Sequence, residues 1–261
     1  MGCHRIGSSL PAVTAIAFLT APPTINMQFN TRYPRQIEVI GKENQLKLLN
    51  SSVLVIGAGG LGSAAIAYLA GAGVGRMGIA DGDVVEVHNL DRQFIHAGKT
   101  GMNKAKSAKI FVEILNPDVE VQTYANFSKE LADIAKNYDV VVSCVDSLEV
   151  RHEINEVCFK LKKPLVHAAI SGFDGELMVF DFREKDTPCY SCIYPRNCKV
   201  RGNPVVAPLA GIVGSMQALE TIKLLCGYEI TKDLLRMDFR HMEFFRISVS
   251  KRKDCPVCST P

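Results

Sequence analysis

Two C-x-x-C pairs, Cys189/Cys192 and Cys255/Cys258, are the most specific chemical feature of this chain. Residues 193–254 separate them, so the second pair closes the chain and the first lies deep within it. Four thiolates on two knuckles suit tetrahedral Zn2+. A complete thiolate shell leaves no position for water or substrate, so the expected metal is structural and ties the C-terminal tail to the middle of the chain. Two redox dithiols are the alternative, disfavoured because thioredoxin-type pairs need not occur twice with such placement. The other five cysteines, Cys3, Cys144, Cys158, Cys198 and Cys226, are scattered. Cys144, Cys158 and Cys226 sit in apolar runs and read as core. A secreted disulfide scaffold would be smaller and denser in cysteine, so a reducing cytoplasm fits better.

The second feature is the loop Gly57-Ala58-Gly59-Gly60-Leu61-Gly62, which follows the apolar run Val53 to Ile56 and precedes small residues from Ser63 to Ala72. A G-x-G-x-x-G turn between strand and helix presents backbone N–H groups and a helix N-terminus to a phosphate. Asp81 follows Gly59 by 22 residues (81 − 59) and ends the next strand. A carboxylate there can accept from ribose hydroxyls; otherwise it is a loop residue or cap. NAD and ATP are equally served so far. A triphosphate needs converging cations, and Arg92 and Lys104 are candidates, although each alone reads equally as a solvated charge. Asp146 follows the strand ending at Cys144, where open α/β sheets place ligand contacts. It could hold Mg2+ beside a triphosphate, or cap the next helix with Glu149 three residues on. His88, His96, His152, His167 and His241 show no ligand spacing and read as structural or surface residues.

These groups need a scaffold, and the hydrophobic pattern supplies one. Helices are expected at 35–50, 63–72, 104–115, 128–137, 148–161 and 209–225. Strands are expected at 53–56, 76–80, 119–124, 139–144, 164–170 and 176–182, with paired strands across 235–249. Asn116-Pro117 stops the helix that begins at Lys104. The alternation predicts an α/β, Rossmann-like, mainly parallel sheet continued by antiparallel strands, with a structural four-cysteine zinc site.

Composition bounds the partners. With 30 basic and 27 acidic residues the net charge is only +3, too weak to argue for nucleic acid or an anionic membrane. No apolar run reaches the roughly 18 residues of a membrane span, so a soluble protein is expected. Residues 1–26 read as an unstructured leader or an upstream start, with Met27 before the first convincing element. A signal peptide is a poor match because Pro11, Thr14 and Thr20 break the apolar stretch. Residues 27–261 then form a single domain.

Taken together the motifs resemble the ThiF/MoeB/HesA family, relatives of the ubiquitin-activating enzymes. The matching residues are Arg32-Tyr33-Pro34-Arg35-Gln36, the Gly57–Gly62 loop, Asp81, Asn89-Leu90-Asp91-Arg92-Gln93, Lys104, Asp146, the helix 209–227 and both C-x-x-C pairs. The match runs from about Arg32 to Cys258. The resemblance implies a single ThiF-like adenylation domain that uses ATP to adenylate the C-terminal glycine of a ubiquitin-like sulfur carrier protein ending in Gly-Gly, with release of pyrophosphate. It implies a thiamine- or molybdopterin-type pathway, with Cys198 tilting the reading slightly toward thiamine. Gly57, Gly59, Gly60, Gly62, Asn89 and Gln93 would bind the nucleotide and Asp81 its ribose. Arg92 and Lys104 would grip phosphates, Asp146 would bind Mg2+, and Arg35 would come from the other subunit of a homodimer. Cys198 matches a loop cysteine that in some members accepts the carrier's acyl group or sulfur; a free cysteine in a loop is the plain alternative. Ser147 departs from the family, where many members carry Asn. The end at Pro261 leads us to expect no sulfurtransferase (rhodanese) domain and a separate sulfur donor protein. An NAD-dependent oxidoreductase and a non-catalytic carrier-binding scaffold are the competing readings.

Overall fold

The apolar run at 53–56 forms strand β1, Ser52–Ile56, whose five residues are all buried. Such a strand needs cover on both faces, and the two sides of β1 feed two different cores. Val53 and Val55 pack with α2 (Gly60–Gly71), α3 (Lys104–Leu115) and α7 (Ala207–Cys226). Leu54 and Ile56 pack with α4 (Leu131–Ala135), α5 (Leu148–Lys160) and α6 (Tyr190–Ile193). The computed structural model describes residues 31–196 and 204–259. The leader expected at 1–26 and Cys198 lie outside the described residues. The chain divides into two units, Met1–Pro34 and Arg35–Pro261, and everything below concerns the second.

The remaining strands are β2 (Arg76–Ala80), β3 (Glu120–Tyr124), β4 (Val140–Ser143), β5 (Leu165–Ser171), β6 (Asp174–Phe180), β7 (Leu234–Asp238) and β8 (Glu243–Ile247). They form one sheet in the order β3-β2-β1-β4-β5-β6-β7-β8. Pairing is parallel from β3 to β5 and antiparallel from β5 to β8. The expected fold class is the observed one. The chain builds outward from β1 to β3, then crosses back to place β4 on the other side of β1. That reversal opens a crevice beyond the carboxyl ends of β1 and β4. Register pairs Ile56 with both Ala80 and Ser143. Gly57, Asp81 and Cys144 therefore leave the sheet side by side.

Three expectations change. Helix α2 starts at Gly60 rather than Ser63, because the last turn of the glycine loop is already helical. The helix expected at 128–137 is a 3-10 turn, Ser128–Glu130, followed by the short α4. Asn137 ends it by turning its N–H and its side chain back onto the Ile134 and Asp133 carbonyls. Finally, α7 has 20 residues and is apolar enough, by length and composition, to cross a membrane. It is a core helix instead. Leu209, Val213, Ala218 and Leu224 are buried, and its buried Glu220 accepts from the Thr231 N–H.

Candidate active site and metal centre

Gly57 takes a left-handed turn, φ +94°, directly after β1, and a Cβ there would lie 2.7 Å from the Cys144 carbonyl oxygen. At Gly62 a Cβ would overlap the Gly57 carbonyl oxygen. Only hydrogen fits at either position, so the loop folds back tightly onto the first turn of α2. Gly59 precedes that helix, and among the described residues no side chain caps its N-terminus. Its first N–H groups are available to an anion.

Two groups clamp the loop from below. The Asp81 carboxylate accepts from the Ala58 N–H (2.7 Å) and the Asp83 N–H (2.8 Å). Burial raises the Asp81 pKa above its ordinary value, against the opposing pull of those two N–H groups and Lys104. His96 is fully buried, with Nε2 2.7 Å from the Ala58 carbonyl and Nδ1 2.8 Å from Ser107 Oγ. Burial lowers its pKa, which keeps the ring neutral. With a carbonyl at Nε2, the proton sits on that nitrogen and Nδ1 accepts from the serine hydroxyl. Both polar atoms of the Ala58 residue are thus held by side chains from outside the loop.

A cavity of about 290 Å³ opens above this floor at the crevice of the sheet. It gathers Gly57, Gly59, Gly60, Asp81, Arg92, Gln93, Lys104 and Asp146 from segments far apart in the chain. Lys104 begins α3, is buried, and pairs with the Asp83 carboxylate at 2.9 Å. Arg92 pairs with Asp91 at 2.7 Å. Gln93 is buried in the wall, and its Oε1 has no hydrogen-bond partner among the described residues. Asn89 is not among the lining residues: its Oδ1 accepts from the Glu86 N–H (3.0 Å) and closes the turn that carries Arg92 and Gln93. Arg35 is exposed on the first turn of α1 (Pro34–Leu49) and does not line the cavity.

Asp146 is exposed at the cavity edge and does not cap α5. Ser147 does so instead, accepting from the Val150 N–H. The departure at Ser147 thus takes the capping role and leaves the Asp146 carboxylate without a hydrogen bond or ion pair among the described residues. Arg151, one turn into α5, donates Nε and an Nη to the Val145 carbonyl (3.1 and 2.9 Å) and fixes the peptide before Asp146.

Sequence reasoning missed Asp83 and Arg151, and its structural reading of His96 left that residue's partners open. Asp83 carried a local signal, two residues beyond Asp81 on the same turn. The partners of His96 and Arg151 are set by tertiary packing. Cys144 borders the cavity, but burial pushes its thiol up and its Sγ is turned to Gln217 Oε1 (3.3 Å).

In the core that Leu54 and Ile56 share, the four knuckle cysteines converge. All four sulfurs lie within 4.8 Å of one another and all four residues are buried. Cys189 is 3.5 Å from Cys255, Cys192 is 3.4 Å from Cys258, and Cys189 is 4.0 Å from Cys192. Zinc–sulfur bonds of about 2.3 Å arranged tetrahedrally require sulfur separations of roughly 3.8 Å. The cluster fits a tetrahedral metal once its longest separation, up to 4.8 Å, closes by about 1 Å.

Residues 33–257 match the ThiF family. The chain belongs to the ThiF family. Among curated relatives it is 40% identical over 244 residues to the adenylyltransferase and sulfurtransferase MOCS3 of Culex quinquefasciatus, covering 87% of this chain and 55% of the relative. It is 41% identical over 249 residues to the adenylyltransferase and sulfurtransferase UBA4 of Kluyveromyces lactis, covering 88% and 55%. The chain therefore spans about half the length of these relatives. The crystal structure of E. coli MccB with ATP shares the fold at a TM-score of 0.77 and 21% identity, covering 89% of this chain and 76% of MccB. A further crystal structure of E. coli MccB aligns at 0.79 and 20% identity, covering 89% and 73%.

Proposed function

We propose that this ThiF-family chain adenylates the C-terminal carboxylate of a ubiquitin-like sulfur carrier protein, consuming ATP and releasing pyrophosphate. The observation that carries the reading is the cavity in which an uncapped helix N-terminus, two cations and a partner-free carboxylate face one another. The names of the MOCS3 and UBA4 relatives support adenylyl transfer as the chemistry.

The reaction asks little of side-chain acids or bases. A C-terminal carboxylate, with a pKa near roughly 3.5, is already ionised at neutral pH. Its oxygen attacks the α-phosphorus, the acyl–phosphate bond forms, and the bond to the β-phosphate oxygen breaks. Positioning and charge neutralisation then supply the catalysis. In this reading the α2 N-terminus and glycine loop hold phosphate oxygens, while Asp81 and its neighbour Asp83 face the ribose. Lys104 and Arg92 exchange their carboxylate partners for phosphate. Asp146 and bound water would hold Mg2+, which supplies charge neutralisation between the polyphosphate and the incoming carboxylate. Arg35, exposed and absent from the lining of its own cavity, is assigned to the cavity of a second copy in a homodimer. A reducing, cytoplasmic setting is assigned because it suits four cysteines gathered as one candidate metal site rather than as disulfides.

ATP–pyrophosphate exchange tests the proposal on the metal-loaded chain, with and without thiamine- and molybdopterin-type carriers ending in Gly-Gly. Exchange should appear only with a carrier, and the carrier that works names the pathway. Arg92→Ala should lower exchange by about 10²–10³. A folded chain that exchanges with no carrier overturns the reading.

A further inference from the structure

The two knuckles of the cysteine cluster are not supported alike. In the second, the turn from Cys255 is closed by the Ser259 N–H on the Cys255 carbonyl at 3.2 Å. Cys192 receives the Arg252 N–H at 3.4 Å. The first knuckle is wound into helix α6, and it spends the Cys192 N–H on the Cys189 carbonyl at 2.8 Å. Four thiolates around one divalent cation carry a net negative charge in a buried place, and each needs hydrogen-bond donors.

For Cys189 the donor at hand is a side chain. Asn155 lies on the inner face of α5 and is completely buried. Its Oδ1 accepts from the Tyr190 N–H at 2.9 Å, which sets the amide against the Cys189–Tyr190 peptide. Its Nδ2 is buried and has no hydrogen-bond partner among the described residues, and the Tyr190 N–H that orients the amide directly follows Cys189, a member of the cluster. A buried amide N–H left without a partner is costly, so a ligated, charged sulfur is the group that completes it. One turn earlier, His152 grips the same knuckle differently. Its Nδ1 is 3.0 Å from Ser191 Oγ and its ring packs edge-on against Tyr190 at 5.1 Å.

We propose that Asn155 is a positioning residue of the metal centre, donating its side-chain amide to the Cys189 thiolate and so setting how tightly the cluster holds its metal. Nothing in the adenylation reading calls for this residue, and Asn155, one turn beyond Arg151 on α5, is not among the residues that line the cavity.

The test is zinc affinity of the full chain, measured by competition with a chromophoric chelator at neutral pH. Asn155→Asp keeps the acceptor for the Tyr190 N–H and replaces the donor by an oxygen. It should weaken zinc about 10- to 100-fold and shift the thiolate-to-metal absorption of the cobalt(II) form. His152→Ala, which loosens the same knuckle through Ser191, should lower thermal stability while leaving zinc affinity near that of the wild type. Equal zinc affinity in a folded Asn155→Asp chain overturns the proposal. So does an equal loss in His152→Ala, since knuckle packing rather than the donor would then explain it. An independent readout needs no substitution. With an NMR-active cadmium isotope in the cluster, the Asn155 side-chain amide should show scalar coupling to the metal through the sulfur, and its absence overturns the proposal.

Discussion

Asp81 carries two separable jobs, and two substitutions pull them apart. Its carboxylate accepts from the Ala58 and Asp83 N–H groups. Ala58 is fully buried, whereas Asp83 is exposed. In Asp81→Ala the Ala58 N–H has no acceptor and no access to water, which costs about 1–3 kcal/mol, while the Asp83 N–H recovers a water. For a chain of this size that lowers the melting temperature by roughly 2–12 °C. Asp81→Asn keeps one acceptor oxygen, which can serve Ala58, and turns its NH2 toward the exposed side. The sign of the pKa shift makes the asparagine milder still. A carboxyl whose folded pKa is raised contributes stability below its unfolded value, 3.8, and loses it as pH rises through the folded value. At neutral pH the charge is therefore a burial cost that asparagine removes. Asp81→Asn should melt within about 1–3 °C of the wild type. ATP affinity should nonetheless fall in Asp81→Asn, since a carboxylate can accept from both ribose hydroxyls and an amide from one. The assays are thermal unfolding and fluorescent-nucleotide binding, both on the zinc-loaded chain. An Asp81→Ala chain that melts with the wild type and keeps the Ala58 amide protected from exchange would refute the clamp.

Three further outcomes are expected. Gly62→Ala puts a methyl group onto the Gly57 carbonyl, so the loop must open; ATP affinity should drop by at least about tenfold, by analogy with overpacking costs of about 1–3 kcal/mol, and unchanged affinity contradicts the tight-turn argument. Glu176 is held down at about 2: burial alone would raise it, but hydrogen bonds from His167 and Tyr194 and the Arg236 charge outweigh that. A depressed folded pKa gives stability that is present above the unfolded value of 4.5 and lost as pH falls toward 2. Urea unfolding of Glu176→Gln should therefore show a flatter acid slope in that window and a loss of about 1–3 kcal/mol at neutral pH; a wild-type acid slope counts against the network. Removing the metal with a strong chelator should lower the melting temperature and raise proteolysis at the C-terminal knuckle, because Cys255 and Cys258 are the tail's anchors to α6; an unchanged melt would show that the cluster holds the tail without metal.

What could be read from residue order was mostly local. The apolar run of β1, the glycine turn, the span of α3 from Lys104 to Leu115 and the two knuckles each depend on neighbours a few positions apart. Such features follow from side-chain volume, dihedral freedom and periodicity, which the order of residues contains directly. The ordered set of motifs was also enough to show the family resemblance, and with it the expected phosphate and ribose contacts. Tertiary structure decided which groups meet. Whether Asp146 or Ser147 caps α5 depends on how the chain leaves β4, and only the fold shows that Ser147 takes the cap and Asp146 stays open to the cavity. The contact of His96 with Ala58, 38 residues away, and the pairing of Lys104 with Asp83 across 21 arise from sheet register and crossover. So does Asn155 behind Cys189, 35 residues from the Tyr190 N–H that orients it. Hydrogen bonds are short and directional. The sequence therefore carries the inventory of donors and acceptors, while their pairing appears only once strands β1, β2 and β4 end level with one another.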